Sequence, residues 1–215
     1  MQSKIVILGT GGTIAGTAAS ATDTVGYRSA QLGVAQLLAA VPPLATPAAG
    51  AIECEQVAQF DSKDMDHATW QRLAQRCGHH LSRADVAGVV VTHGTDRWRA
   101  APSCDALGPQ RIQRDAADWP CVEIVLNHVG AGGALVDVLV EQGVHGIVAA
   151  GTGNGTLHRN LEAALLRAQA QGVHVLRASR CAAGPVLGND SLPSAGRLTA
   201  VQARIELLLK LLGTA

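Results

Sequence analysis

The chain has 215 residues, of which 47% are hydrophobic, and this is enough to build one large domain or two small ones. Lysine plus arginine and aspartate plus glutamate number 17 each, so no basic excess attracts nucleic acid or an anionic membrane. No stretch is apolar for the roughly 18 residues that a membrane span needs. The composition therefore argues against nucleic-acid and membrane partners and favours a small-molecule ligand.

Cysteine and histidine usage points away from disulfides and metals. Five cysteines are an odd number without paired short spacing, which is typical of reduced thiols and not of a disulfide scaffold or a zinc site. The eight histidines, His79 and His80 among them, show no metal-ligand spacing, so no metal is expected. Met1 runs directly into the strand-like K-I-V-I-L without a secretory leader, and we therefore expect a cytoplasmic location.

Short β-branched apolar runs alternate along the chain with stretches of helical periodicity. The apolar runs predict buried parallel strands at residues 5–8, 86–91, 122–126, 146–150 and 173–176. The periodic stretches predict helices at residues 31–40, 67–77, 133–141, 157–171 and 200–212. This alternation predicts an α/β fold, with parallel sheets covered by helices on both faces.

The first predicted strand is followed by a glycine-rich loop, G-T-G-G-T-I-A-G, at residues 9–16. Its glycines permit a tight turn and are expected to leave the hydroxyls of Thr10 and Thr13 close to exposed backbone amides. Nucleotide binding is one interpretation of such a loop. The dinucleotide fingerprint, however, needs glycine where Ile14 stands, and the Lys-Ser/Thr ending of a phosphate loop is missing, so this alternative is the weaker one.

The strand predicted at residues 86–91 is followed by T-H-G-T-D at residues 92–96. Taken alone, Thr95 and Asp96 could simply cap a following helix, and His93 is more typical of a structural residue than of a ligand. Carboxyl ends of parallel strands meet at the same edge of a sheet. The two loops together therefore place threonine hydroxyls and a carboxylate where hydroxyl nucleophile chemistry could occur.

These two loops, in this order and at this spacing, resemble the two active-site signatures of the bacterial-type L-asparaginase and glutaminase-asparaginase family. Further segments resemble the family: G-Y at 26–27, D-S-K-D-M at 61–65, V-E-I-V-L-N-H at 122–128, G-I-V-A-A-G-T-G-N-G-T-L at 146–157 and R-A-S-R-C at 177–181. The resemblance covers roughly residues 1–96 and 105–215.

The resemblance implies a division of the chain into domains. Residues 1–96 would be the family's larger N-terminal α/β domain in truncated form, and residues 97–120 an atypical linker. Residues 121–215 would be the smaller α/β C-terminal domain. The family also implies a homo-oligomer, since it builds each site from two subunits.

The resemblance also implies catalytic roles. Thr13 would be the nucleophile that attacks the side-chain amide carbon, with Tyr27 beside it on a flap. Thr95 would be the second hydroxyl, which the family couples to Asp96 and a lysine in a triad that assists proton movement. A threonine hydroxyl needs this help because it is a weak nucleophile until a nearby group takes its proton.

Substrate recognition is implied in the same way. Ser62 would hold the α-carboxylate of the substrate and Asp96 its α-amino group, while Lys63 lies in the same substrate loop and Asn154 in a loop that approaches a partner's site. The implied reaction converts L-asparagine to L-aspartate and ammonia through an acyl-threonine, without a cofactor, and L-glutamine is a second candidate substrate. Taken singly, Ser62 could equally belong to an ordinary turn and Tyr27 to a surface loop.

The chain departs from the family after Asp96. The family continues there with a helix, two strands and the segment that carries the triad lysine, whereas this chain has only three lysines, Lys4, Lys63 and Lys210, and none at a matching place. The R-W-R that follows Asp96 suggests a shifted reading frame. An alternative is therefore a catalytically inactive remnant that binds amino acids or associates with intact subunits. Loss of interior strands also predicts a first domain with unpaired edges and poor stability.

Overall fold

The computed structural model describes residues 4–17, 28–41, 51–93, 114–181, 184–188 and 191–213, with the backbone alone at residue 13. The chain divides into two compact units. Unit 1 comprises Met1–Trp98 with Asp115–Ala117, and unit 2 comprises Arg99–Arg114 with Asp118–Ala215. Among the described residues, no helix is both long and apolar enough to cross a membrane.

Unit 1 is built on a three-stranded parallel sheet in the order β2-β1-β3. The strands are β1 (Lys4–Gly11), β2 (Ile52–Phe60) and β3 (Val86–Thr92). The apolar run of β1 occupies the centre, and Val6 and Leu8 are completely buried there. Because β1 pairs with both neighbours, the carboxyl ends of all three strands lie at one edge of the sheet.

Two helices cover opposite faces of this sheet. Helix α1 (Val34–Ala39) lies against Gly9, where an added Cβ would come within 2.7 Å of the Val34 Cβ. Helix α2 (His67–Leu81) contributes Leu73 to a small core with Val6, Leu8 and Val57. Alternate residues of a strand point to opposite faces, so Gly9 and Leu8 place the two helices on different sides.

Unit 2 is built on a four-stranded parallel sheet in the order β4-β5-β6-β7. The strands are β4 (Val122–Leu126), β5 (Gly146–Gly151), β6 (His174–Ser179) and β7 (Ser194–Thr199). Helices α3 (Ala134–Glu141) and α4 (Arg159–Ala170) pack on one face, in a core with Ile147 and Ala149. Helix α5 (Ala200–Gly213) lies on the other face, with Leu207 against Gly146.

The α/β class predicted from the sequence, with parallel sheets and helices on both faces, is confirmed in each unit. All five predicted strands and all five predicted helices are present, although α1 is shorter than predicted and α2 longer. Two strands, β2 and β7, were not predicted. At the end of the predicted linker, Trp119 is 7% exposed and its Nε1–H donates to the carbonyl oxygen of Arg114 at 3.1 Å.

One prediction about burial is wrong. Residues 86–91 are predicted as a buried strand, but in the described part of the chain β3 lies at the edge of its sheet, with Val90 48% exposed and Val91 39%. The same holds at the end of β4, another edge, where Leu126 is 58% exposed. A continuous apolar run reports hydrophobicity and not position within the sheet, so it cannot separate a central strand from an uncovered edge.

Candidate active site

The loop after β1 is shaped by two glycines. Gly11 and Gly12 have φ values of +86° and +83°, and a Cβ on Gly11 would lie 2.9 Å from the backbone nitrogen and oxygen of Phe60. The N–H of Gly12 donates to the Phe60 carbonyl at 2.8 Å. The chain then enters a short 3-10 helix, Thr13–Ala15. The backbone of Thr13 therefore lies at the carboxyl end of β1, beside the end of β2.

Thr10 connects the end of β1 to the end of β3. Its side chain is fully buried, its hydroxyl donates to the Thr92 carbonyl at 3.1 Å, and its Oγ1 is 2.7 Å from Nδ1 of His93. The expectation that the Thr10 hydroxyl lies close to exposed amides is wrong, because the buried hydroxyl bonds to the backbone of Thr92 and contacts the His93 ring. The contact supports a structural role for His93, two residues before Thr95.

The turn after β2 carries the predicted substrate residues Ser62 and Lys63. Asp61 begins the 3-10 helix Ser62–Asp64, and its carboxylate accepts a hydrogen bond from the Lys63 backbone N–H at 3.4 Å. Ser62 is 6% exposed, whereas the Lys63 side chain is exposed, with its Nζ 3.8 Å from Asp61 Oδ2. Ser62 is thus buried at the same edge of the sheet as the Thr13 backbone. The ammonium of Lys63 is paired with the carboxylate of Asp61 in the same turn.

Several predicted site residues lie outside the described part of the chain. These are Tyr27, Thr95 and Asp96, together with the side chain of Thr13. Their mutual geometry therefore stays a prediction. Among the described residues, the backbone of Thr13 follows β1, Ser62 follows β2 and His93 follows β3. All three lie at the same edge of one sheet.

Asn154, the remaining predicted substrate residue, lies in unit 2, in the turn after β5. Its Oδ1 accepts from the Leu187 N–H at 2.6 Å, and its carbonyl accepts from Nη1 of Arg177 at 3.0 Å. Arg177 is 4% exposed and also donates to the Leu187 carbonyl at 3.0 Å. Asn154 and Arg177 therefore join two loops of this unit. Arg177 is a functional residue without a predicted role, and its charge inside the apolar strand β6 is the sequence signal that marks it.

The carboxyl edge of the unit 2 sheet also carries an exposed thiol, Cys181. The N–H of Gly153 donates to its Sγ at 3.3 Å and, together with Ser179 and the charge of Arg180, lowers the pKa of Cys181. Burial instead raises the pKa of Cys77. Within the described ranges, no three His, Cys, Asp or Glu side chains are grouped so that they could hold a metal ion.

Comparison with known proteins identifies the family. Residues 4–101 match the family model for the N-terminal domain of asparaginase, and residues 121–214 match that for the C-terminal domain of glutaminases and asparaginases. The chain belongs to the asparaginase family. The solved structure of a probable cytoplasmic L-asparaginase from Campylobacter jejuni has a TM-score of 0.80 and 25% identity, and the match covers 99% of this chain and 96% of that one.

Some relatives match less than half of this chain at higher identity, and another matches nearly all of it at lower identity. A glutaminase-asparaginase of Pseudomonas fluorescens biotype A is 42% identical over 94 residues, which is 44% of this chain but only 25% of that protein. L-asparaginase 2 of Escherichia coli is 26% identical over 316 aligned positions, covering 98% of this chain and 89% of that protein. Since this chain has 215 residues, at least 101 of those positions are gaps in it.

Proposed function

We propose that this chain is an amide hydrolase that converts L-asparagine to L-aspartate and ammonia, with Thr13 as the nucleophile. The observation that carries the proposal is the meeting of three strand ends at one sheet edge, through the Gly12–Phe60 hydrogen bond and the Thr10–His93 contact. Both motifs that supply hydroxyls follow strands of this sheet, β1 and β3. Membership of the asparaginase family supports the same chemistry.

In the proposed mechanism, the Thr13 hydroxyl attacks the side-chain amide carbon of the substrate and an acyl-threonine forms as ammonia leaves. Water then hydrolyses the ester and releases L-aspartate. Thr95 and Asp96 assist the proton transfer, and Tyr27 closes over the nucleophile. An adjacent group that takes the proton is required because threonine at its ordinary pKa is a poor nucleophile.

Substrate binding in the proposal uses both neighbours of β1. Ser62, buried at the end of β2, holds the α-carboxylate, with Lys63 nearby as a positive charge. Asp96, after β3, holds the α-amino group. Asn154 contributes from a second subunit of a homo-oligomer. L-glutamine is a second candidate substrate, since the relatives include a glutaminase-asparaginase. We place this activity in the cytoplasm, and no cofactor takes part.

A second candidate function is a catalytically inactive amino-acid-binding remnant, and the positions of the three lysines favour it. Lys4, at the opposite end of β1 from Thr13, pairs with Asp85 at 3.0 Å, and Lys210, in unit 2, pairs with Glu206 at 3.4 Å. Lys63 pairs with Asp61. None of the three lies in the segment directly after β3, where the family carries its triad lysine. Losing one member of a catalytic unit typically removes several orders of magnitude in rate.

Ammonia release separates the two functions. We expect the wild-type chain to release ammonia from L-asparagine at a rate far below that of full-length relatives, and Thr13→Ala to fall to the buffer background. Thr17→Ala, an exposed threonine four residues along, is the matched control and should keep the wild-type rate. Equal rates for the wild type and Thr13→Ala would leave only the binding function.

A further inference from the structure

Arg177 is a buried charge that joins two loops at the carboxyl edge of the unit 2 sheet. It lies on β6 and is 4% exposed. Its Nη1 donates to the Asn154 carbonyl and its Nη2 to the Leu187 carbonyl, both at 3.0 Å. Asn154 follows β5, and Leu187 lies between β6 and β7. One guanidinium therefore ties together two segments whose residues are 33 positions apart in the chain.

The side chain of Asn154 is held by the same contact. Its Oδ1 accepts from the Leu187 N–H at 2.6 Å, so the backbone of Leu187 bonds to Asn154 through its N–H and to Arg177 through its C=O. An N–H can bond only to the oxygen of an amide, which fixes the direction in which the Asn154 amide faces. What the amide of this exposed residue still offers is Nδ2, which can only donate. We call Asn154, Arg177 and Leu187 the Arg177 clamp.

The turn that carries Asn154 is built to lie against the stem of Arg177. Gly153 and Gly155, on either side of Asn154, have φ values of +52° and +71°. A Cβ on Gly155 would lie 3.2 Å from Cγ of Arg177 and 2.9 Å from Cγ1 of Val186, so only glycine allows this close approach. Glycines also leave a turn with much conformational freedom. The clamp is therefore what limits the position of Asn154.

Holding a turn with a buried guanidinium is costly in free energy. The charged group loses its hydration, and the clamp gives it two neutral carbonyl oxygens in exchange. Its Nε is buried and bonds to no described residue. Departures of this kind from the ordinary rules of burial are expected where function requires a fixed geometry.

We infer that Arg177 is a positioning residue for amino-acid binding and that it acts through Asn154. The inference rests on the proposed function, in which Asn154 contributes to the amino-acid site of a second subunit. Because the clamp fixes the Asn154 amide before the substrate arrives, binding does not have to order it. With its oxygen held by Leu187, the amide presents only N–H donors, which suit a carboxylate oxygen of the bound amino acid and not its ammonium group.

Calorimetric titration with L-aspartate tests the coupling between Arg177 and Asn154. Arg177→Met keeps the buried stem and removes the donors, and it should weaken binding about fivefold or more, as should Asn154→Ala. The double variant should bind no more weakly than either single variant, because Arg177 acts only through Asn154. A further loss in the double variant would show a merely structural role and overturn the inference. Arg167→Met, which removes an exposed arginine of α4, is the control and should bind as the wild type does.

Hydrogen exchange of the free protein tests the clamp without ligand. The Leu187 amide should be protected in the wild type and exchange about fivefold faster or more in Arg177→Met. The Val186 amide, which donates to Gly196 at 2.7 Å outside the clamp, should change little. Arg177→Lys is a second variant with the same expected losses, because one ammonium cannot bridge both carbonyls as the planar guanidinium does.

Asn154→Asp separates the two ends of the amide. The carboxylate keeps an oxygen for the Leu187 N–H but replaces the Nδ2 donor with an acceptor. We expect the Leu187 amide to stay protected while L-aspartate binding weakens about tenfold or more, because two carboxylates would meet. Binding as tight as that of the wild type would overturn the inference.

The outcomes separate this inference from the proposed function. If the folded wild type binds no L-aspartate, the proposed function fails and the inference fails with it. If the wild type binds and Ser62→Ala weakens binding, but Arg177→Met binds as the wild type does, the inference alone is overturned. A loss of affinity in Arg177→Met that sedimentation traces to a changed oligomer would also overturn it. So would an unprotected Leu187 amide in the wild type, which is measured without any variant having to fold.

Discussion

At the scale of single residues, a charged network joins β2 to α2 around His80. Arg76 donates to both carboxylate oxygens of Glu55, at 2.6 and 2.8 Å, and Nε2 of His80 is 2.7 Å from the same carboxylate. Nη1 of Arg83 is 3.1 Å from Nδ1 of His80. A guanidinium can only donate and a carboxylate can only accept, so the imidazole of His80 lies between a donor at Nδ1 and an acceptor at Nε2. The hydrogen bonds from Arg76, followed by that from His80, lower the pKa of Glu55 to about 2.

This network predicts a loss of stability in acid. Because the folded state lowers the pKa of Glu55 from 4.5 to about 2, its contribution is complete above pH 4.5 and is lost as the pH falls from there to 2. We expect Glu55→Gln to lower the free energy of unfolding of unit 1 by about 1 kcal/mol at pH 7. The variant should then lose less stability than the wild type between pH 4.5 and 3.

Urea unfolding at pH 7, 4.5 and 3, followed by hydrogen exchange of the β1 amides, measures this difference. Glu141→Gln, which changes an exposed carboxylate of α3 in unit 2, is the control and should leave the β1 amides unaffected. If the wild type and Glu55→Gln lose the same stability on acidification, the carboxylate does not hold α2 against β2 in the way described.

The candidate site could be predicted from the sequence only where a motif marks it. Thr13 and Ser62 follow strands within recognisable segments, and the structure places the Thr13 backbone and Ser62 at one sheet edge. The Thr10–His93 contact joins residues 83 apart in the chain, and Arg177 lies 23 residues from Asn154. Nothing local in the sequence reports such pairings, because they depend on which strands become neighbours.

At the scale of elements, the sequence predicted the strands with continuous apolar runs and missed the polar edge strands. β5 is buried along its whole length and was predicted, whereas β2 alternates Glu53, Glu55 and other polar residues with apolar ones and has no continuous run. β7 is a short strand whose register with β6 shifts between Arg177 and Ser179. Its stability depends on tertiary packing against α5, and local propensity therefore does not report it.

At the scale of the whole molecule, the two units differ in the size of their cores. Among the described residues, the main core cluster of unit 2 has thirteen buried members, whereas that of unit 1 has four, Val6, Leu8, Val57 and Leu73. Buried apolar area is the main stabilising contribution to a folded domain. Within the described ranges, β3 also pairs with a strand on one side only. We therefore expect unit 1 to be the less stable of the two.

Native-state hydrogen exchange in increasing urea measures this difference. The amides of β1 should exchange through an opening at a lower urea concentration than those of β5, so that the chain unfolds in two steps with unit 1 first. Thermal unfolding of unit 1 should be accompanied by aggregation. A single reversible transition of a monodisperse sample, in which β1 and β5 lose protection together, would contradict this expectation.

We propose that the carboxyl ends of β2, β1 and β3 form one amino-acid site, and calorimetric titration with L-aspartate measures binding at that site. Since the product binds without turnover, the measurement does not depend on the missing lysine. We predict that the wild type binds L-aspartate and that Ser62→Ala and Asp96→Asn, altered after β2 and after β3, each weaken binding about tenfold or more, while Thr17→Ala does not. Absence of binding by the folded wild type, or an affinity that neither substitution changes, would contradict the claim.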